Sequence, residues 1–194
     1  SPVLSATSSK SVIISGMLLN ALWFEGEITS WFKGTPLIAA ISAGNCAVVK
    51  APRTASNTYD LLERLIPKYL DNKAIWFSDR SISNEDLLSR EWGKIFLTGS
   101  GRIGKIVMKA ASETLTPVTL ELGGKSPAIF TNSCDLKVGI RRMLQGKFTN
   151  AGQTCVAPDY VLLQKGMLAE FLELYKRTLK DFFGKNIQQS SDYG

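Results

Sequence analysis

The sequence predicts an α/β fold: a three-layer, Rossmann-like parallel sheet over residues 1–122, followed by the opening part of a second α/β domain over residues 123–194. Two observations carry this. Short β-branched or apolar runs alternate with stretches of helical period, the signature of βαβ units. Two adjacent glycines, Gly123 and Gly124, then break the chain before "SPAIF" starts a new layer.

Taken in order, "SVIIS" reads as a strand, whereas "ALWFEGEITSWF" has no clear period. "NCAVVK" reads as a buried strand. After the turn "APRTAS", residues 57–70 form a helix with Leu61, Leu62, Leu65, Ile66 and Tyr69 on one face and Ser56 or Asn57 as N-cap. The strand "KAIWFS", a weakly helical segment around Glu85 to Arg90 and the strand "KIFLT" follow. A helix from about Ile103 to Ser112 leads to the strand "TPVTLEL". In the second domain, helices are expected at 135–148 and 167–183. The latter carries a stripe of Leu168, Phe171, Leu172, Tyr175, Leu179 and Phe182, with Gly184 at C′. Between them, "TNAGQTCVAPDYVLLQ" is a loop followed by a strand.

Composition removes several function classes. The net charge of +6 is spread along the chain without a basic cluster interleaved with aromatics, which argues against nucleic-acid binding and fits an anionic small ligand. No apolar run is long enough to span a bilayer, and the start lacks a signal-peptide pattern, so no membrane segment is expected. Cys46, Cys134 and Cys155 lie far apart, and there is no histidine. A zinc site, a disulfide framework and histidine-dependent nucleophilic catalysis are thereby disfavoured, and reduced thiols fit a cytoplasmic setting. Any nucleophile must be activated by other means.

The stretch "KIFLTGSGRIGKIVMKAAS" contains Gly99-Ser100-Gly101-Arg102-Ile103-Gly104, a literal G-x-G-x-x-G, with Glu121 twenty residues beyond Gly101. Two readings are open: a dinucleotide fingerprint with Glu121 on a ribose, or a tight strand-to-helix turn. In either, the helix N-terminus offers amides and a positive dipole end to a phosphate, and Ser100 adds a hydroxyl. The fingerprint normally opens the first βαβ unit of its domain, whereas here two or three strands and a helix precede it.

Thirty-four residues beyond Glu121 in "TLELGGKSP" comes Cys155 in "FTNAGQTCVAP". With "AGNCAVVK" and "IFLTGS" in the same order, the chain from about residue 36 to 194 resembles the aldehyde dehydrogenase superfamily, and its class 3, fatty-aldehyde-type branch in particular. The resemblance implies an enzyme that oxidises a small-molecule aldehyde with NAD or NADP. Cys155 would be the nucleophile and Glu121 the general base that releases the acid, with the Cys155 amide helping to hold the oxyanion. It also implies a cofactor site in which Ser100 and the helix that follows meet the pyrophosphate and Lys50 meets the adenosine ribose, with Thr98, Gly99, Gly104 and Leu122 completing the cofactor-binding set. A homodimer is implied as well.

The chain departs from that pattern in four places. Where the family has a glutamate three residues after the strand lysine, this chain has Arg53, which would suit the 2′-phosphate of NADP. The asparagine that completes the oxyanion hole is replaced by Glu27 at the expected spacing; Asn20 could serve only with about seven residues inserted. The loop after "KAIWF" reads "SDRSIS" instead of glycine-rich. The chain also stops soon after Cys155, so a partial or short form is expected, without the downstream segments that orient the nicotinamide ribose and support dimerisation. The alternative reading is a truncated, catalytically silent relative acting as a binding or dimerising module.

Overall fold

The computed structural model describes residues 11–16, 36–52 and 56–193. Arg53, Asn20 and Glu27, singled out above, lie outside the described residues. The chain divides into two compact units, one up to Leu122 and one from Gly123.

The first unit is a five-stranded sheet in the order β3-β2-β1-β4-β5, with every neighbouring pair parallel. Its strands are β1 (Ser11–Gly16), β2 (Cys46–Lys50), β3 (Ile75–Phe77), β4 (Lys94–Thr98) and β5 (Val118–Glu121). Residues 36–42 are helical (α1), and α2 (Ser56–Tyr69), α3 (Asn84–Leu88) and α4 (Gly101–Ser112) follow in turn. The winding runs outward through β1, β2 and β3, then restarts on the other side of β1 with β4 and β5. This reversal makes a topological switch point between β1 and β4.

Alternation along the strands explains the three layers. Ala47, Val49, Ile75 and Phe77 face one core with Ala40, Tyr59 and Ile66; Val48, Ile95 and Leu97 face the other with Leu87, Trp92, Val107 and Ala111. Both faces are covered, which is why the parallel strands read as short, nearly unbroken apolar runs. "SVIIS" proves to be the central strand.

Two helical stripes follow the sequence expectation only in part. On α2, Leu61 and Tyr69 are exposed, and the buried residues are Tyr59 and Ile66. A polar tip let Tyr59 pass as surface, but its hydroxyl donates to the Ser78 carbonyl and its ring packs edge-on against Phe77 at 4.9 Å. Ser56 is already helical, so neither it nor Asn57 caps α2.

The second unit contains two parallel strands, β6 (Ser126–Phe130) and β7 (Pro158–Leu163), with α5 (Leu136–Phe148) between them in sequence and α6 (Leu168–Phe183) after them. Both helices cover one face of the strand pair. Phe130, Leu136, Ile140, Met143, Leu144 and Phe171 form the buried centre. Gly139 lets α5 lie close against β6, since a Cβ there would stand 2.8 Å from the Phe130 ring. On α6, Phe171, Tyr175, Leu179 and Phe182 pack inward as expected and are joined by Leu174 and Thr178, while Leu168 and Leu172 are exposed. Thr178 can be buried because its hydroxyl donates to the Leu174 carbonyl at 2.8 Å. Gly184 ends the helix at φ +76°, where its amide donates to Lys180 O at 2.9 Å.

Candidate active site

The C-terminal edge of the five-stranded sheet gathers most of the residues expected to hold a cofactor. Lys50 ends β2, Thr98 ends β4 and Glu121 ends β5, with Thr98 and Glu121 directly opposite one another. In a parallel sheet this edge, next to the switch point, is where a ligand crevice forms. The Gly99 amide donates to the Glu121 carbonyl at 2.9 Å and so ties the turn after β4 to the end of β5. Ser100 caps α4, accepting the Ile103 amide at 3.4 Å. Ser100 thus takes one first-turn amide, and the helix leaves those of Gly101 and Arg102 to a ligand or to solvent.

Within "GSGRIG" Gly104 is the position where a side chain would crowd described atoms. A Cβ there would stand 3.2 Å from Leu122 Cδ2 and 3.3 Å from Leu120 Cδ1, whereas at Gly99 the nearest described atom is 3.9 Å away and at Gly101 none lies within 4 Å. Gly104 and Leu122 thus face each other across the α4–β5 contact. The turn follows β4, not β1, so the literal fingerprint occupies the second winding half of the sheet.

Lys50 is a buried cation, 6% exposed, and not a solvent-facing strand end. Its Nζ donates to Ile82 O at 2.5 Å, Asp79 O at 3.1 Å and Ser78 Oγ at 3.4 Å. The loop after β3 is therefore folded around the ammonium. Asp79 stiffens that loop by accepting the Ser81 amide at 2.7 Å and the Ser81 hydroxyl at 2.5 Å. Those two bonds, hydroxyl first, hold the Asp79 carboxyl below its ordinary value. Lys50, Ala51 and Pro52 form one wall of a cleft of about 310 Å³, and Ser83, Asn84 and Glu85 form the other.

Ser83, Asn84 and Glu85 were not marked by the sequence. The available signal was Ser83 three residues ahead of an acid, since Ser83 and Asp86 form a reciprocal capping box at the start of α3. Bonds from the Ser83 hydroxyl at 2.8 Å and the Ser83 amide at 3.2 Å hold the Asp86 carboxyl below 3.8. Its stabilising contribution is complete above the unfolded value of 3.8 and is lost as pH falls through the lower folded one. Asp86→Asn should therefore lower the urea midpoint near neutrality, and the gap to wild type should close as pH drops below 3.8.

In the second unit, α5 runs into a one-turn 3-10 segment, Thr149–Gly152, and then into the turn that carries Cys155. Asn150 (φ +55°), Ala151 (φ +51°) and Gly152 (φ +79°) all lie in the left-handed region. For alanine this costs about 1–2 kcal/mol. The conformation is held by Asn150 Nδ2 donating to Gln153 O at 3.1 Å and by Gln153 donating to Asn150 O through its amide at 3.0 Å and its Nε2 at 3.3 Å. The Ala157 amide donates to Thr154 O at 3.0 Å and closes the turn around a half-buried Cys155. A Cβ at Gly124 would stand only 2.7 Å from the Cys155 carbonyl oxygen, so the second glycine of "ELGGKSP" is required by the cysteine turn. Lys125 Nζ and Asp159 Oδ2 pair at 3.1 Å beside it.

The expected residues thus fall into two sets: Lys50, Thr98, Gly99, Ser100, Gly104, Glu121 and Leu122 in the first unit, and Cys155 in the second. Cys134 packs partly buried against the second unit's core, and Cys46 begins β2. No cluster of potential metal ligands occurs among the described residues, and no helix among them is long and apolar enough to cross a membrane.

Residues 32–194 match the model of the aldehyde dehydrogenase family. The mouse dimeric NADP-preferring aldehyde dehydrogenase is 47% identical over 160 residues, covering 82% of this chain and 35% of that protein. Mouse aldehyde dehydrogenase family 3 member A2 is 46% identical over 159 residues, covering 81% and 33%. The 4,4′-diaponeurosporen-aldehyde dehydrogenase of Staphylococcus aureus is 46% identical over 160 residues, covering 82% and 35%. Among solved structures, a substrate-bound Staphylococcus aureus AldH superposes with a TM-score of 0.81 at 40% identity, covering 96% of this chain and 39% of that one. The chain spans about a third of the length of the curated relatives it matches. The match extends from the helix before β2 to the end of the chain and so takes in both the sheet edge and the cysteine turn: the chain belongs to the aldehyde dehydrogenase family.

Proposed function

We propose that the protein serves the oxidation of an aldehyde to a carboxylic acid with reduction of NAD or NADP, with Cys155 as nucleophile and Glu121 as general base. The observation that carries this is the cysteine turn, which spends backbone strain at Asn150 and Ala151 and a glycine at 124 to hold one half-buried thiol. Strain maintained by specific hydrogen bonds is a feature of functional loops. The Cys155 thiolate would attack the aldehyde carbon to form a thiohemiacetal, whose oxyanion the Cys155 amide would help to hold. A bound nicotinamide would supply the hydride acceptor. Glu121 would then take a proton from water as the water attacks the resulting thioester, and the thiolate would leave.

The first unit fits a dinucleotide. The α4 N-terminus with Ser100 suits a pyrophosphate, and the Lys50 cleft suits a ribose, to which Nζ can turn the hydrogen bond now spent at 3.4 Å on Ser78. Arg53, immediately after Pro52 of that cleft, is assigned to a 2′-phosphate. The names of the relatives, one dimeric and NADP-preferring, support a homodimer and either cofactor.

Ser100→Asp tests the cofactor site without disturbing the fold. Aspartate is as good an N-cap as serine, and its charge favours a helix N-terminus, so the thermal midpoint should hold. The same charge repels a pyrophosphate, so affinity for NADH and NADPH, followed by fluorescence titration, should fall about tenfold or more. Unchanged affinity would remove α4 from the site. Absence of binding by the wild-type chain would favour the silent-module reading.

A further inference from the structure

The β6–β7 pair carries a bulge at the base of the Cys155 turn. Ser126 pairs with Pro158 and Pro127 pairs with Tyr160, so Asp159 is an extra residue with no partner on β6. Bulges re-aim the chain, and beside functional sites they set where a loop emerges. The Asp159 carboxylate meets Lys125 Nζ at 3.1 Å, from the residue just ahead of β6. Lys125 is covalently next to Gly124, where an added Cβ would stand 2.7 Å from the Cys155 carbonyl oxygen. The contacts therefore form a closed ring: Cys155 to Gly124, along the chain to Lys125, across the ion pair to Asp159, and back through Pro158, Ala157 and Val156 to Cys155.

We propose that the Lys125–Asp159 ion pair is a clamp that fixes the bulge and through it the presentation of the Cys155 thiol, making both residues positioning residues for the nucleophile. This rests on the reading of Cys155 as nucleophile. The side chains are 82% and 35% exposed, so the pair contributes little to global stability. Its effect is local. The bulged residue has no ladder partner to hold its register, and the charge pair is the contact that links it to the strand entry on the other side.

The test uses the full 194-residue chain and its variants K125Q, D159N and the charge-keeping K125R. In K125Q and D159N, hydrogen exchange at the amides of residues 154–157 should speed about fivefold, with α5 and α6 amides unchanged. Iodoacetamide labelling of Cys155 should slow about threefold relative to Cys134 as the thiol leaves its set position. K125R should stay within about twofold of wild type in both readouts. Unchanged exchange overturns the clamp, as does exchange raised equally through α5 and α6, a loosened turn with unchanged labelling, or a loss in K125R as large as in K125Q. Failure of the nucleophile reading looks different: wild-type Cys155 would label no faster than Cys46 and Cys134.

Discussion

Cys155→Ala should, under the proposed reaction, abolish aldehyde-dependent cofactor reduction, by on the order of 10⁴-fold or more, because removal of the proposed nucleophile leaves only binding and oxyanion stabilisation. Cys155→Ser should be almost as damaging, since no histidine exists in the chain to activate a hydroxyl. A thiol can serve without such a base. A few per cent is thiolate at neutral pH, and thiolate is intrinsically a strong nucleophile. Glu121→Gln separates the two halves of the reaction. Acylation would proceed and hydrolysis would stall, so one equivalent of reduced nicotinamide per chain should appear in a burst, with the acyl group retained on Cys155 by mass. Reduction that survives Cys155→Ala would move the chemistry to another residue altogether.

The parallel α/β character of the first unit was legible because parallel strands covered on both faces leave compact apolar runs such as "CAVVK" and "KIFLT" between helical stretches. The central place of β1 was not, since a strand's position in a sheet is decided by its neighbours and leaves no mark in its own five or six residues. Most of the expected helical faces pack inward, Leu62 and Ile66 on α2 and Phe171, Tyr175, Leu179 and Phe182 on α6, but the polar-tipped residues buried beside them were not read. Tyr59 and Thr178 each enter a core by donating to a nearby carbonyl, and such a partner is invisible along the sequence. The same limit applies to the site. "GSGRIG" and "ELGGKSP" announced themselves as strings, but the string does not say which glycine is constrained. In the first, among the described residues, it is Gly104, by its closeness to Leu120 and Leu122. The Lys50 cleft depends on the loop after β3 returning to bind the ammonium, a contact across 29 or more positions to Asp79 and Ile82. Asp159 reads as an ordinary strand residue until the pairing of Ser126 with Pro158 reveals it as the bulge.

Gly124→Ala should be the most damaging single-methyl addition in the second unit. The new Cβ would be 2.7 Å from the Cys155 carbonyl oxygen, an atom fixed by backbone geometry and unable to swing aside as a side-chain tip would. Relief requires either Gly124 or the cysteine turn to move by several tenths of an ångström. Overpacking of this kind costs about 1–3 kcal/mol in stability. The consequence for chemistry is larger, because a displacement of about 1 Å at a reacting group can cost 100-fold in turnover. The thiol itself would remain, so labelling of Cys155 should persist while aldehyde oxidation collapses, a combination that Cys155→Ala does not produce. Gly123→Ala supplies the control. No described atom lies within 4 Å of a Cβ there and its φ is not in the left-handed region, so its stability should stay within about 0.5 kcal/mol of wild type. Denaturant unfolding and steady-state turnover of the two neighbours should therefore diverge. Equal effects at Gly123 and Gly124 would show that the glycine pair matters for chain flexibility and that the Gly124–Cys155 contact does not set the thiol's position.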